Sequence, residues 1–317
     1  MQQNEASVLF RPDSDALRFL PECPSPCGPN RFSWIAIQHA AQSTTGSLNQ
    51  FDLATRENTS QPLDGRPGFA FATDREHVFV IGIERQVRLF DMRSSQWSTL
   101  CDGIDRDVTG TIINDGVVFD GGLVFGCKDL QFKEKKAGLY LWRRSDRMLV
   151  QLRCDQICSN GKAISHQAGQ LVLFDIDSPT KTVVAYPLDV EGGAIGEART
   201  VIDMRDGEAV PDGMILTPDA QSVIVAMYHP GNVATGEARQ YNINSGELEA
   251  VWKTDRSPRV TCPQLVEFGG RIKLILTTAV EGMPANQLAR NENGGCIFIA
   301  DTPFDRLSEQ PVFELPQ

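Results

Sequence analysis

The most informative absences in this sequence of 317 residues concern long apolar runs, positive charge and paired cysteines. No stretch approaches the roughly 20 consecutive apolar residues that a membrane-spanning helix needs. The opening segment, MQQNEASVLF, lacks the basic and apolar regions of a signal peptide. We therefore expect a cytoplasmic protein without a membrane partner.

Basic residues are outnumbered by acidic ones. The sequence has 30 lysines and arginines against 41 aspartates and glutamates, which gives a formal net charge of −11. Because an acidic surface repels nucleic-acid phosphates, we expect no nucleic-acid partner. The same balance leaves carboxylates available to bind a cation.

Common catalytic and zinc-binding motifs are absent as well. The eight cysteines include no C-x-x-C pair, and the two C-x-x-x-C spacings match no common zinc pattern. The sequence contains no G-x-S-x-G elbow, P-loop or G-x-G-x-x-G. None of its four tryptophans is followed by Asp, as would be expected in Trp-Asp repeats. The familiar signatures of serine hydrolases and nucleotide-binding proteins are thereby excluded.

Short β-strands dominate what is present, whereas helical periodicity is nearly absent. Segments such as HVFVIGI, QLVLFDID and SVIVAMY recur in six blocks of up to four strands, with a period of about 44 to 52 residues. Four antiparallel strands repeated at this period are typical of a β-propeller. We predict an all-β, six-bladed β-propeller that occupies residues 1–317 as a single domain. A β-sandwich is the alternative, but it holds fewer strands than this pattern predicts.

Polar turns and the ends of the chain fit the same prediction. The segments MRSSQW and NINSGEL are predicted turns between the third and fourth strands of their blocks. Either ASVLF near the start or PVFEL near the end would complete the last blade. Completion matters because an open sheet edge exposes unpaired backbone groups.

The first strand of each block begins at an equivalent position of the repeat. In a propeller these strands line the central axis, so we expect the side chains at their beginnings to converge. The six positions are Glu22, Arg66, Asn114, Asn160, Asp212 and Thr261. Three of them share a pattern, NDG, SNG and PDG, in which Gly lets the backbone turn tightly or approach a ligand. One Asp-Gly pair alone would be an ordinary turn, but three in matching phase indicate a site.

Oxygen ligands for a metal ion are available among these positions. Glu22 and Asp212 supply carboxylates, and Asn160 supplies an amide carbonyl. Such a set suits a hard divalent cation, Ca²⁺, Mg²⁺ or Mn²⁺. Zn²⁺ is a further possibility, although no His or Cys is placed to favour it. Without a cation, two converging carboxylates would repel each other.

Loops between the second and third strands are predicted to open on the same mouth of the propeller. Their candidate pocket residues are Arg85, Lys128, Asp129, His229 and Glu281. Each of these charges is equally compatible with an ordinary solvated loop. The segment 279–295 is long enough to act as a lid.

At the level of its motifs, the sequence resembles the gluconolactonase family, which includes senescence marker protein and regucalcin. The resemblance rests on LPECPSP…FSWIAI, INDGVV…GGLVFG, SNGKAIS…QLVLFDIDS, PDGMILTPDAQSVIVAMY and GGCIFIAD. It extends over nearly the whole chain in the same order. It implies a six-bladed propeller that hydrolyses sugar lactones with one divalent metal ion, Ca, Mg, Mn or Zn, in its channel.

The resemblance also implies individual roles. Glu22, Asn160 and Asp212 match the family's metal ligands, and Asp212 also matches the proposed general base. Asn114 matches a residue that contacts the substrate or metal-bound water. Asp129 and Lys128 lie near the family's next substrate-binding segment. Asp177, in DIDS, matches an aspartate near the site.

Two departures from the family pattern leave the substrate open. Ile112 stands where the family's sugar-binding enzymes often carry Arg, so a donor for hydroxyl or carboxylate groups is missing. The residues around Glu22 are Pro21 and Cys23 where the family has Gly. We predict a metal-dependent lactonase with Asp212 as catalytic residue, Asn114, Asp129 and His229 as substrate-binding residues, and a lactone or sugar acid as small-molecule partner. The alternatives are a non-catalytic calcium-binding or protein-binding propeller, or a hydrolase of other esters.

Overall fold

A computed structural model describes residues 1–167, 169–308 and 311–315 of the chain. Over these residues the secondary structure is almost entirely β-strand. None of the helices found in this part of the chain has the length and apolar character needed to cross a membrane. The described residues fall into two compact units, the first from 1–67 and 206–309, the second from 68–205 and 310–317. The single domain expected from the sequence stays a prediction.

The first unit begins with five strands and one helical turn. In chain order these are β1 (Gln2–Phe10), α1 (Asp15–Phe19), β2 (Pro21–Gly28), β3 (Arg31–Ala36), β4 (Gly46–Asp52) and β5 (Asn58–Leu63).

The second unit follows with strands of five to nine residues, one two-residue strand, and a short 3-10 helix at Ser178–Thr180. Its strands are β6 (Pro67–Ala72), β7 (Val78–Ile83), β8 (Gln86–Asp91), β9 (Gln96–Cys101), β10 (Thr111–Phe119), β11 (Gly122–Asp129), β12 (Ala137–Arg143), β13 (Leu149–Gln156), β14 (Ser159–Gln167), β15 (Gln170–Asp177), β16 (Thr182–Asp189), β17 (Ala194–Ile195) and β18 (Arg199–Asp203).

The chain then returns to the first unit with seven more strands and one helical turn. These are β19 (Val210–Leu216), β20 (Ser222–Tyr228), β21 (Thr235–Asn242), β22 (Leu248–Asp255), β23 (Val260–Phe268), β24 (Arg271–Thr278), α2 (Ala285–Leu288) and β25 (Ile297–Asp301).

Four of the sheets are antiparallel meanders of consecutive strands. Their orders are β2-β3-β4-β5 in the first unit, and β6-β7-β8-β9, β10-β11-β12-β13 and β14-β15-β16-β17 in the second, where β18 also pairs with β16. Short hairpins connect neighbours, so each block of the sequence repeat becomes one twisted sheet. The prediction of an all-β propeller built from four-stranded blocks is confirmed.

The prediction of six separate blades, however, is wrong. The described strands form five sheets, because the last two blocks share one eight-stranded sheet of order β19-β20-β21-β22-β1-β25-β24-β23. Strand β1 joins them: Gln2–Ala6 pair in parallel with β22, and Ser7–Phe10 pair antiparallel with β25. The segment ASVLF thus completes β23–β25 as expected, and the first half of β1, Gln2–Ala6, covers the edge of β22.

Burial is greatest in the second strand of each block. The side chains of β7 (VFVIGI) and β11 (GLVFGCKD) are buried along their whole length. The outer strand β9 (QWSTLC), by contrast, is partly or fully exposed throughout. Strands buried on both faces need continuous apolar runs rather than alternation, which is why these segments are the most apolar in the sequence.

The turns between third and fourth strands repeat one hydrogen-bonded design. Asp52 accepts hydrogen bonds from the backbone N–H groups two and three residues later, at 2.9 and 3.0 Å. Asp91 and Asn242 do the same in their own sheets. Such Asx turns fix the hairpin corner through the side chain. The turns predicted at MRSSQW and NINSGEL are confirmed.

Replacing Ala6 with Asp should strongly destabilise the first unit. Ala6 is buried in β1 against Ile224 and Trp252, so a carboxylate there would lose its hydration without gaining a partner. We expect a cost of about 2 to 5 kcal/mol in the free energy of unfolding, measured by thermal or urea denaturation. The neighbouring change Ser7→Asp, at an exposed position of the same strand, is the control and should cost little. Equal effects of the two changes would contradict the burial of Ala6.

Candidate functional site

A β-bulge lies at the beginning of the first strand in five blocks. In β10–β11, Ile113 pairs with Cys127 and Asp115 with Gly126, so Asn114 is the extra residue. In β19–β20 the register shifts between Pro211 and Met214, across Asp212 and Gly213. The other shifts follow Glu22 in β2–β3, follow Asn160 in β14–β15, and include Thr261 in β23–β24. Because a bulge redirects the side chain at its position, the repeat found in the sequence marks a repeated backbone irregularity.

Two of the predicted site residues contact each other in the second unit. The Asn114 Nδ2 donates to Oδ1 of Asn160 at 2.9 Å and to the carbonyl of Ser159 at 3.0 Å. The Asn160 Nδ2 in turn donates to the Ser178 hydroxyl at 3.0 Å. Both amides are buried. These hydrogen bonds fix which atom of each amide group is the oxygen and which is the nitrogen. The Asn160 Oδ1 faces Asn114, and because an amide oxygen has two lone pairs it can accept a second bond.

Asp177 supports the Asn114–Asn160 pair through hydrogen bonds to the backbone before Asn160. Its carboxylate accepts hydrogen bonds from the backbone N–H of Ile157 and of Cys158, at 3.2 and 2.8 Å. The backbone N–H of Ser178 donates to the Cys158 carbonyl at 3.0 Å. The DIDS motif therefore holds the segment that leads into Asn160, which is a positioning role. Ser178 was not singled out in the sequence, although its place directly after Asp177 was the available signal.

A buried ion pair lies beneath Asn160. The Lys162 ammonium is 3.1 Å from the Asn160 carbonyl oxygen, to which it donates, and 3.3 Å from a carboxylate oxygen of Asp175. Burial raises the pKa of Asp175, while the charge of Lys162 and the amide of Gln156 act to lower it. Gly161, between Asn160 and Lys162, has φ of 28°, a conformation that side chains disfavour. The Gly of SNG is thus required by the backbone.

Asp129 has its carboxylate engaged within its own loop. Both oxygens accept backbone hydrogen bonds, from Gln131 at 3.3 Å and from Lys133 and Glu134 at 3.0 Å. The Lys136 ammonium adds an ion pair at 3.2 Å. The Asp129 carboxylate therefore stabilises the conformation of the 129–136 loop. Its role in substrate binding stays a prediction.

Within the first unit, β23 lies between the strands of the two predicted carboxylate ligands. The Thr261 hydroxyl donates to the carbonyl of Pro21, the residue before Glu22, at 2.7 Å. A Cβ atom on Gly213 would lie 2.8 Å from the Thr261 carbonyl oxygen and 2.6 Å from the Cys262 Sγ. The Gly after Asp212 is therefore required by this close approach of β23. Glu22 and Asp212 flank Thr261 on opposite sides.

A cluster of Tyr228, Arg259 and Glu281 lies within electrostatic range of Asp212 in the same unit. Burial raises the pKa of Tyr228; the Arg259 charge acts to lower it, and the charges of Glu281 and Asp212 add to the rise. The Tyr228 hydroxyl donates to the Glu281 carbonyl at 2.9 Å. The Arg259 guanidinium lies 5.4 Å from the centre of the Tyr228 ring and also donates to the Glu281 carbonyl. These contacts hold the beginning of the 279–295 loop, a role for Arg259 that the sequence did not indicate.

Both ring nitrogens of His229 contact neighbouring residues of the first unit. Its Nδ1 accepts a hydrogen bond from the backbone N–H of Gly231 at 3.1 Å, and its Nε2 is 3.6 Å from the Glu208 carboxylate. The tautomer with the proton on Nε2 follows from the first contact. The substrate-binding role of His229 stays a prediction.

The structure thus arranges the candidate residues in two groups, one in each unit. Asn114 and Asn160 are in direct contact in the second unit, while Glu22 and Asp212 flank Thr261 in the first. Their meeting around one cation stays a prediction. Carboxylate and amide oxygens fit a hard divalent cation. Among the described residues no group of three His, Cys, Asp or Glu side chains could hold a metal ion. The predicted ligands Glu22, Asn160 and Asp212 are not a group of this kind, because Asn160 would bind through an amide oxygen.

Comparison with protein families gives an independent result. Residues 20–280 match the family described as the SMP-30/gluconolactonase/LRE-like region. The chain belongs to this family. The matched range includes the predicted metal-binding, catalytic and substrate-binding residues, from Glu22 to His229.

Individual relatives are more distant. Regucalcin from Danio rerio is 28% identical over 59% of this chain and 61% of its own length. An uncharacterised protein from Sulfolobus acidocaldarius is 28% identical over 67% of the chain, and the match spans 66% of that protein. The chain therefore aligns with less than two thirds of each of these two relatives. L-arabinolactonase from Azospirillum brasilense is 24% identical over 77% of each chain.

Solved structures agree on the fold. A calcium-binding protein named regucalcin, from Agrobacterium tumefaciens, superimposes with a TM-score of 0.81 at 19% identity and covers 99% of both chains. A luciferin-regenerating enzyme gives a TM-score of 0.76 at 15% identity, over 93% of this chain and 95% of its own. At these identities the likeness establishes the fold alone.

The loop around Asp129 predicts a pH-dependent stability. Burial acts to raise the pKa of Asp129, but the three backbone N–H donors and the Lys136 ammonium outweigh it and hold the pKa below its usual range. A lowered folded-state pKa stabilises the protein above the unfolded value of about 3.9 and loses this effect as the pH falls through the folded pKa. Asp129→Asn should therefore lower the melting temperature at pH 7, and the difference from the wild type should shrink below about pH 4.

Thermal melts between acidic and neutral pH measure this difference. The control is Asp120→Asn, at an exposed turn position before β11, which should change the melting temperature little at any pH. A constant difference between wild type and Asp129→Asn over the whole range would refute the carboxylate's role in the loop.

Proposed function

We propose that this chain hydrolyses a lactone with the help of one divalent cation bound by Glu22, Asn160 and Asp212. The observation that supports the proposal is the β-bulge at Asp212 and directly after Glu22 and Asn160, at the beginning of the first strand of three blocks. Membership of the SMP-30/gluconolactonase/LRE-like family supports it. So do relatives named L-arabinolactonase and putative sugar lactone lactonase, the latter from Bacillus subtilis.

The reaction would add water to the lactone carbonyl and break the ring C–O bond, giving a hydroxy acid. A cation at this site would polarise the carbonyl and stabilise the negative charge that develops on its oxygen. In our proposal Asp212 accepts the proton of the attacking water and passes it to the ring oxygen as that oxygen leaves. Asp212 is half-buried, and its charge contributes to the raised pKa of Tyr228.

Asparagine side chains would orient the reacting groups. The Asn114 Nδ2 donates a hydrogen bond to the Asn160 oxygen. A group bound to that oxygen would therefore lie close to Asn114 as well. Ser178 and Asp177 hold the other side of Asn160 and its strand. A rigid amide keeps its oxygen in place without the cost of reorganisation during the reaction. The proposed partner is accordingly a small-molecule lactone or sugar acid.

A non-catalytic calcium site is the second candidate. The solved structure of regucalcin is described as that of a calcium-binding protein. Ile112, an apolar buried residue two positions before Asn114, gives the site one fewer polar group for a sugar. In that case the same three ligands would serve only to fasten the strands.

Metal removal and Asp212→Asn distinguish the two candidates. Protein treated with EDTA should lose lactone hydrolysis, measured by proton release over a panel of lactones, and should recover it with Mn²⁺, Ca²⁺ or Zn²⁺. Asp212→Asn should lower kcat by about 100-fold or more while the fold remains intact, because a positioned general base contributes 10²–10⁴-fold. Asp206→Asn, the same change at an exposed residue nearby, is the matched control and should retain activity.

Two results would contradict the proposal, the first its cation and the second its catalytic activity. Full activity in rigorously metal-free protein would reject the cation's role. Wild-type protein that hydrolyses no lactone, but whose melting temperature rises with Ca²⁺ and falls in Asp212→Asn, would support the calcium-binding candidate.

A further inference from the structure

Lys128 is a largely buried residue whose ammonium group has no counter-ion among the described residues. The residue, near the end of β11, is 7% exposed. Among the described residues its Nζ makes no hydrogen bond or ion pair, and its one specific contact is the Phe132 ring, 5.6 Å from the ring centre. Lys162, equally buried, has both the Asp175 carboxylate and a carbonyl oxygen. The Lys128 Nζ is not one of the fully buried side-chain atoms that lack a hydrogen-bond partner, so the ammonium still reaches solvent. A cation held at such a position without a counter-ion is available to an anionic partner from outside the chain.

The position of Lys128 relates it to the asparagine pair of the second unit. Its backbone pairs with Ile112 across β10 and forms an isolated bridge with Cys158. Residues paired across antiparallel strands direct their side chains to the same face. The Cys158 Sγ lies 3.7 Å from the Nδ2 atoms of both Asn114 and Asn160. The Lys128 side chain therefore shares a face with a group that contacts both amides.

Neighbouring charges do not neutralise Lys128. Asp129 follows it in the strand and so faces the opposite side, where its carboxylate is occupied by three backbone N–H groups and Lys136. The side of the loop at Phe132 is open to water, since this ring is 50% exposed. An anion can thus reach the ammonium from solvent beside the aromatic ring.

We propose that Lys128 binds an anionic group of the substrate, a carboxylate or a phosphate, so that the lactone is an acidic one. The identity of the ligand as a lactone rests on the proposed function, whereas anion binding by Lys128 does not. The net charge of −11 repels anions, which makes a local cation necessary for any acidic substrate. An ammonium offers three donors, which suit either anion.

Matched pairs of lactones test this inference. The first pair is γ-valerolactone and the γ-butyrolactone that carries a carboxylate in place of the γ-methyl group; the second is gluconolactone and its phosphate ester. In Lys128→Met the ratio of kcat/KM for the anionic over the neutral member should fall roughly 10- to 100-fold, as expected for loss of a hydrogen bond to a charged group. Lys128→Arg should retain most of the preference. The pair that shows the preference identifies carboxylate or phosphate.

The control is Lys135→Met, which removes the same charge from an exposed position of the same loop. It should leave the ratio nearly unchanged, so that a general electrostatic effect can be separated from binding. Lys128→Met should also melt close to the wild type, because the ammonium has no ion pair or hydrogen bond to lose among the described residues. If Lys128→Met does not fold, Lys128→Gln is compared in its place. An unchanged ratio in these variants, with both lactones hydrolysed, would overturn the inference and leave the proposed function standing.

A binding measurement separates the two proposals if no lactone is hydrolysed. Calorimetric titration with inorganic phosphate and with hydroxyglutarate, the ring-opened form of the carboxylated lactone, reports anion binding without turnover. Binding to the wild type that is lost in Lys128→Met but kept in Lys135→Met would retain the anion site while the proposed function fails. Equal binding to wild type and Lys128→Met, or none to either, would overturn the inference.

Discussion

An extra residue in the first strand of a block has no partner in the sheet ladder, and its side chain points where regular pairing would not send it. This bulge is the constraint on which the candidate site depends. It occurs at Asn114, at Asp212 and at Thr261, and it directly follows Glu22 and Asn160. The surrounding strands are buried and close-packed, so the irregular backbone is held by tertiary contacts. Close approach of β23 to Gly213 is one such contact.

Hydrogen bonds fix the orientation of the Asn160 side chain at its bulge. An asparagine amide can rotate by half a turn and exchange its oxygen and nitrogen, which would ruin it as a ligand. Asn160 has this choice removed, because Ser178 accepts from its nitrogen and Asn114 donates to its oxygen. Asp177 fixes the backbone before it, and Lys162 fixes its carbonyl. Asn160 is therefore supported by Ser178, Asp177 and Lys162, for which we propose no contact with the substrate.

Repeat spacing made the positions of the bulges predictable, because residues in matching phase of a repeat occupy matching places in their sheets. The Asx turns and the strand blocks were predictable for the same reason. The pairing of β1 with both β22 and β25 was not, since strand order beyond nearest neighbours depends on tertiary contacts that local sequence does not encode. Asp129 illustrates a second limit: a loop carboxylate looks the same in sequence whether it binds a ligand or, as here, its own backbone.

Three largely buried basic residues, Lys162, Arg259 and Lys128, differ in the partners that their charged groups have. In the second unit Lys162 has a carboxylate partner and serves to support Asn160. In the first, Arg259 is satisfied in part by backbone carbonyls, to which its planar fork donates, and so holds a loop. Among the described residues Lys128 has neither kind of partner. Its side chain is largely buried while its ammonium still reaches solvent, so water alone compensates the charge. An anion from outside the chain would supply the partner that Lys162 and Arg259 find within it.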